Sequence, residues 1–237
     1  MQHIIERETA KPRDNVFTFF VDLEEAFDKV ARTILWRTMV RRGVNREIIE
    51  RIKEIFKETE IFVRIGETLT ESFWTAEGVR QGCPLSPTLF TIYISEMEEA
   101  FRKGQGGGIV VGNFKVWSLP YADDIVVISN KEEELKAMMK RLEYFLDMKK
   151  LNLYVEKAKT MVFQKGGGKE KTTSWNWKGE RVEEVKEMYV RIKMQRNGDP
   201  INYIKERMKR ANVVIKQVRG MGERKFQDGI QNKDGAV

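Results

Sequence analysis

The run Val16-Phe17-Thr18-Phe19-Phe20-Val21 is aromatic and β-branched, and it stops at a carboxylate, Asp22. Such a run reads as a buried strand, with Asp22 at its end. A second pattern answers it far along the chain. Phe114 to Leu119 and Ile125 to Ser129 are strand-like and flank Tyr121-Ala122-Asp123-Asp124, which predicts a hairpin with two acids at its tip. A strand end at Asp22 and a hairpin tip at Asp123-Asp124 can meet on adjacent strands.

The rest of the chain supplies helices to cover such strands. Residues 24–42 and 46–58 carry apolar residues at helical spacing, with Gly43 between them as a C-cap. Residues 60–65 and 68–75 alternate, which predicts a hairpin around Gly66. A helix is expected from Ser86 to Arg102, then a flexible turn at Gly104 to Gly108. Lys131 to Lys149 reads as an amphipathic helix with Leu135, Met138, Met139, Leu142 and Phe145 on one face. Thr160 to Phe163, Trp175 to Trp177 and a pair around 181–194 read as further strands, and Ile201 to Arg219 as a basic helix. The order is that of an α+β domain, a small antiparallel sheet backed by helices.

Composition narrows the chemistry. Cys83 is the single cysteine and His3 the single histidine. A disulfide within the chain and a zinc site built from Cys and His are both excluded, and histidine acid–base catalysis nearly so. A metal enzyme made from this sequence must use carboxylates. Charge is uneven: residues 1–100 hold 14 Lys/Arg against 18 Asp/Glu, and residues 101–237 hold 29 against 18. A basic C-terminal half suits a polyanionic partner. No stretch approaches the roughly 20 apolar residues that a membrane span needs.

Two adjacent acids at a strand turn repel, and a third brought from 101 residues away worsens the repulsion. A hard divalent cation such as Mg²⁺ offsets it with carboxylate ligands, and two such ions can clamp both oxygens of a phosphoryl transfer. The plainer alternative for the pair is a solvated turn. The apolar strands bracketing Asp123-Asp124 favour the metal site.

Three blocks carry a family resemblance. Phe19-Phe20-Val21-Asp22-Leu23-Glu24-Glu25-Ala26-Phe27-Asp28 resembles the first palm motif of reverse transcriptases. Gly78-Val79-Arg80-Gln81-Gly82-Cys83-Pro84-Leu85-Ser86-Pro87 resembles the second, in the wording of the non-LTR (LINE-type) retrotransposon branch, and Tyr121-Ala122-Asp123-Asp124 the third. The likeness runs from about residue 16 to residue 220. It implies a polymerase palm with partial fingers over 16–165, after a short N-terminal remnant at 1–15. A Gly/Lys loop and primer-grip-like hairpin would occupy 166–195, the start of a thumb helix 196–222, and a disordered tail 223–237.

By that resemblance Asp22 and Asp123 ligate two Mg²⁺ ions, the Leu23 carbonyl assists, and Asp124 completes the acidic cluster. Phe27 corresponds to the bulky residue under the sugar of the incoming nucleotide, where it excludes a 2′-hydroxyl by clash; a core aromatic is the alternative. Gln81, Gly82 and Tyr121 match substrate-contacting positions. Arg80 is either a phosphate or template contact or a plain exposed arginine. Ser86 and Pro87 are expected to shape a helix start. Lys157 is placed to protonate the pyrophosphate leaving group, or is simply solvated.

The implied partners are an RNA template, a DNA primer and dNTPs, with no membrane, inside the cell in the nucleus or a ribonucleoprotein particle. Oligomeric state is not indicated. The likeness loosens where the family reads Asn-x-x-Lys-Thr and this chain has Tyr154 and Ala158 around Lys157, and where Arg191 follows Tyr189-Val190 in place of a glycine. With few residues before the first palm strand, the expectation is a truncated, weak or inactive copy. The alternative is a non-catalytic relic that only binds nucleic acid.

Overall fold

The computed structural model describes residues 1–10, 14–57, 60–62, 64–75, 77–121, 123–164, 173–190 and 192–195. In chain order the elements are α1 (Gln2–Glu8), β1 (Asn15–Val21), α2 (Arg32–Arg41), α3 (Arg46–Lys57), β2 (Glu60–Ile61), β3 (Arg64–Ile65), β4 (Thr68–Leu69) and β5 (Phe73–Trp74). They continue with α4 (Ser86–Ile94), α5 (Met97–Lys103), β6 (Ile109–Val111), β7 (Phe114–Val116), β8 (Ser118–Tyr121), β9 (Asp124–Ser129) and α6 (Glu132–Lys149). The last strands are β10 (Lys159–Gln164), β11 (Trp175–Trp177), β12 (Glu180–Glu184), β13 (Glu187–Val190) and β14 (Ile192–Gln195).

A six-stranded sheet runs in the order β11-β12-β10-β1-β9-β8. The apolar run of β1 sits at its centre, antiparallel to β10 on one side and to β9 on the other. Side chains alternate across a strand, and here both faces are buried. Phe17, Phe19 and Val21 join Ile125, Val127, Val162, Trp175 and Trp177 on the face covered by α2, α4, α5 and α6. Val16 and Phe20 join Val126, Ile128, Met161 and Phe163 on the opposite face, under Ile5 of α1 and Ile109 of β6. The α+β layout with helices behind an antiparallel-rich sheet agrees with the sequence reading.

Three expectations need correction. The helix expected from residue 24 begins only at Arg32. Residues 24–30 instead spend their backbone groups on distant partners: Glu24 N–H on the Asn152 carbonyl (2.9 Å), Phe27 C=O on Val79 N–H (2.8 Å) and Val30 C=O on Gly78 N–H (2.9 Å). The helix expected over Ser86 to Arg102 breaks at Ser95-Glu96, where the Ser95 hydroxyl donates to the Ile92 carbonyl and competes with the backbone ladder. The turn at Gly104 to Gly108 is pinned rather than free. Arg141 donates to the Gly104 carbonyl (3.1 Å) and Gly107 N–H donates to Glu134 (2.8 Å). Gly107 has φ +72°, and a Cβ there would lie 2.0 Å from the Met138 sulfur. The sheet also continues beyond β10. β12 pairs in parallel with β10 and carries β11 with it, because Trp175 and Trp177 need the helix-covered core. The Gly166 to Gly168 loop, Arg191, the basic helix from Ile201 and the tail lie outside the described residues.

Candidate active site

The register of the central strands decides where the acids fall. Phe20 pairs with Val126 and Val21 with Ile125. The pairing ends there, and Asp22 and Asp124 are the next residue on each strand. Both continue the alternation of Phe20 and Val126, so both belong to the face away from the main helical layer. Asp124 is in turn paired with Tyr121 across the β8–β9 hairpin, which leaves Asp123 in the connecting turn. Asp22 is half-buried, and Asp123 and Asp124 are exposed.

The backbone beyond Asp22 is fixed from the other side. Tyr154 N–H donates to the Asp22 carbonyl (2.9 Å), Glu24 N–H donates to Asn152, and Leu23 bridges Leu153 between them. In an antiparallel bridge of this kind the central residue's own groups turn away from the partner. The Leu23 carbonyl therefore turns away from Leu153. The side chains do not close on one point: among the described residues no group of three or more His, Cys, Asp or Glu could hold a metal ion. Like charges repel, and exposed carboxylates relieve the repulsion by spreading. The donor set of three carboxylates and a carbonyl is all hard oxygen, which fits Mg²⁺.

The second motif loop is assembled against the segment after Asp22. Gly78 has φ +82°, and a Cβ there would lie 2.9 Å from the Asp28 carbonyl oxygen, so only glycine allows this approach. Phe27 is half-buried and packs on Phe90 of α4, ring centroids 5.2 Å apart. The Gln81 amide donates to the Asp28 carboxylate at 3.0 Å. Gln81 and Gly82 are exposed on the loop. Ser86 does not cap α4 with its side chain; its hydroxyl donates to the Arg80 carbonyl (2.6 Å) and ties the loop shut. Lys157 lies in the turn before β10, its ammonium 4.3 Å from the Tyr154 ring centroid. Tyr121 is placed by its backbone pairing alone.

Arg80 and Arg32 share a task that sequence patterns did not suggest. The last carbonyls of a helix have no intrahelical donor and carry the negative end of its dipole. Arg80 donates to the Ile55 carbonyl (2.9 Å) and Arg32 to the Phe56 carbonyl (2.7 Å), both at the end of α3, and both guanidinium groups lie over the Phe56 ring. Arg32 also reaches the carbonyls of Thr75 (3.0 Å), Glu77 (3.1 Å) and Gly78 (2.8 Å). Burial, with Arg80 close by, lowers the pKa of the Arg32 guanidinium from its usual value. A lone arginine at a helix start gives no warning of four backbone acceptors from distant segments.

Comparison with known proteins places the chain in a family. The family model described as "Reverse transcriptase (RNA-dependent DNA polymerase)" matches residues 2–203. The chain belongs to that family. A retrovirus-related Pol polyprotein from the type-1 retrotransposable element R2 of Nasonia vitripennis is 26% identical over 156 residues, 66% of this chain and 15% of that protein. The transposon TX1 uncharacterized 149 kDa protein of Xenopus laevis is 29% identical over 117 residues, 49% of this chain and 9% of that one. The chain thus spans a small part of these non-LTR retrotransposon proteins. Among solved structures, apo telomerase from Candida tropicalis, truncated from its C-terminal domain, superposes with a TM-score of 0.54 at 14% identity, over 82% of this chain and 36% of that one. That likeness shows the fold, a polymerase palm. No helix among the described residues is long and apolar enough to cross a membrane.

Proposed function

We propose that the chain performs RNA-directed DNA synthesis, joining a dNTP to the 3′-hydroxyl of a DNA primer on an RNA template. The observation that supports this reading is the Val21–Ile125 pairing, which brings the ends of β1 and β9 together, Asp22 following one and Asp124 opening the other, with Asp123 in the adjoining turn. Asp22, Asp123, Asp124 and the Leu23 carbonyl would hold two Mg²⁺ ions. Bound there, the ions supply charge neutralisation for the attacking oxygen and the pyrophosphate leaving group. The chain's own residues do the rest. Phe27 presents an aromatic edge to the sugar and rejects a 2′-hydroxyl by clash. Gln81, Gly82 and Tyr121 meet the nucleotide and template, and Lys157 holds a proton on Nζ for the departing pyrophosphate. The basic C-terminal half binds the phosphate backbone, so template–primer affinity falls steeply as salt rises. A-form hybrid is read by shape and backbone. The compartment that fits is the nucleus or a ribonucleoprotein particle.

The test is primer extension by the 237-residue chain on an RNA template with Mg²⁺ and dNTPs. Template-dependent extension that Asp123→Asn abolishes supports the reading. Extension that survives Asp123→Asn, or its absence from a folded chain that binds template–primer, overturns it.

A further inference from the structure

Sequence reading treats Phe27 and Gln81 as separate contacts, one for the sugar and one for the nucleotide, and leaves Asp28 unassigned. The structure joins them. Asp28 follows Phe27 directly, and its Oδ2 accepts a hydrogen bond from Gln81 Nε2 at 3.0 Å. The contact spans 53 residues of sequence and closes a ladder already made by the backbone, in which Gly78 N–H meets the Val30 carbonyl and Val79 N–H the Phe27 carbonyl. Arg32 clamps the approach to that ladder through the Gly78, Glu77 and Thr75 carbonyls. Past it, the Ser86 hydroxyl holds the Arg80 carbonyl. The backbone leading into Gln81 is therefore held, and the side-chain amide of Gln81 is held by Asp28.

A glutamine amide has two faces, one donating and one accepting, and neighbours decide which way it is turned. A carboxylate only accepts. Asp28 therefore selects the orientation in which Nε2 faces it, leaving Oε1 and the second N–H of Gln81 for a ligand. We propose that Asp28 is a positioning residue: it orients the Gln81 amide, and so couples nucleotide contact at Gln81 to the sugar gate at Phe27. The inference rests on the polymerase reading above. An asparagine at 28 keeps the shape but both donates and accepts, so it no longer selects one orientation. Asp28→Asn is therefore a sharper probe than a truncation.

The experiment has two arms on the full chain. In the first, the side-chain amide of Gln81 is followed by ¹⁵N NMR in the free protein. Its resonances and hydrogen exchange should change in Asp28→Asn and Asp28→Ala, while backbone signals of the sheet stay in place. An unchanged Gln81 amide overturns the proposal whatever the chain's activity. In the second arm, dNTP binding to the template–primer complex with Mg²⁺ and steady-state extension are measured for Asp28→Asn, Gln81→Ala and the double variant. The expected result is KM for dNTP raised roughly 3- to 10-fold by Asp28→Asn with kcat changed much less, weaker rejection of ribonucleotides, and a double variant no worse than Gln81→Ala alone. Additive losses, or a uniform fall in kcat with KM unmoved, overturn the positioning role. The two readings fail differently. Absence of Mg²⁺-dependent dNTP binding by the wild-type complex overturns the polymerase reading and the coupling with it. Wild-type binding that Asp28→Asn leaves unchanged overturns the coupling alone.

Discussion

In the helical layer behind the sheet a lysine ammonium is buried among partners, while on the opposite face of the sheet two carboxylates and a third in the adjoining turn are left near the surface. Lys149 is only 3% exposed. Its ammonium donates to Glu96 (2.7 Å) and to the Thr38 hydroxyl (3.0 Å), and it lies over the rings of Tyr93 and Phe145. The Tyr93 hydroxyl donates to the Lys149 carbonyl and accepts from Ala31 N–H. Burial pushes that hydroxyl's pKa up to about 12, so it stays protonated and keeps donating. Burial, against the pull of Glu96 and with Arg41 and Arg42 nearby, lowers the pKa of the Lys149 ammonium. This cluster ties α2, α4, α5 and α6 together with its charges satisfied. Asp22, Asp123 and Asp124 stand apart from that cluster, and like charges held close together cost stability. The contrast teaches that buried charge serves the fold behind the sheet; if the acids at its open edge serve the proposed chemistry, the two regions should respond differently to mutation.

The largest effect is expected at the open edge. Asp123→Asn should lower primer extension by at least roughly 10²–10³-fold, the scale of losing one charge-stabilising group, with the thermal midpoint unchanged or slightly higher. A matching fall in stability would show that Asp123 serves the fold and would break the contrast. Next comes the buried side. Lys149→Met should cost about 3 kcal/mol of stability in urea unfolding, at the low end for breaking a buried pair because Arg41 still reaches Glu96 (2.9 Å). Extension measured well below the unfolding midpoint should stay near wild type, and pairing the change with Glu96→Leu should recover part of the loss. A Lys149→Met chain as stable as wild type would deny the cluster its role. Smaller again, Phe27→Val should relax discrimination against ribonucleotides roughly tenfold. Unchanged dNTP/NTP selectivity in that variant would place the gate elsewhere.

Sequence reading succeeded where a segment's structure follows from its own side chains. The apolar run before Asp22, the acid-tipped hairpin and the amphipathic spacing of α6 each fix an element locally. It failed where backbone groups bond at long range. The helical spacing of residues 24–31 is overruled by Asn152, Gly78 and Val79, which take the hydrogen bonds a helix would need. The glycines from 104 to 108 read as freedom, yet Arg141 presses on Gly104, Met138 on Gly107, and Val116 and Trp117 on Gly108. At the site, the acids announce themselves by type and spacing. Arg32 acts on four carbonyls and Asp28 on one amide, and neither leaves a pattern in sequence. A positive φ at Glu25 (45°) is equally silent until the chain is folded.

The smallest effect tests the buried side by pH. Burial pushes the Glu96 carboxyl up, but its hydrogen bond and charge pairing with Lys149, and then its pairing with Arg41, outweigh this and hold it below the usual carboxylate value. A folded-state pKa that is depressed means the unfolded chain binds the proton more readily. Glu96 therefore adds stability above the usual carboxylate range, and that contribution is lost as pH falls through the folded value. In Glu96→Gln the contribution is absent at every pH. Wild type should be the more stable of the two at neutral pH, and the gap in urea midpoints should narrow as both are taken into acid. The acids of the open edge stand in both chains, so their protonation shifts both curves alike and leaves the gap untouched. A gap that stays constant down to acid unfolding would mean that Glu96 contributes by packing rather than by charge. The buried cluster would then be held by shape, and the contrast between the two regions would lose its electrostatic basis.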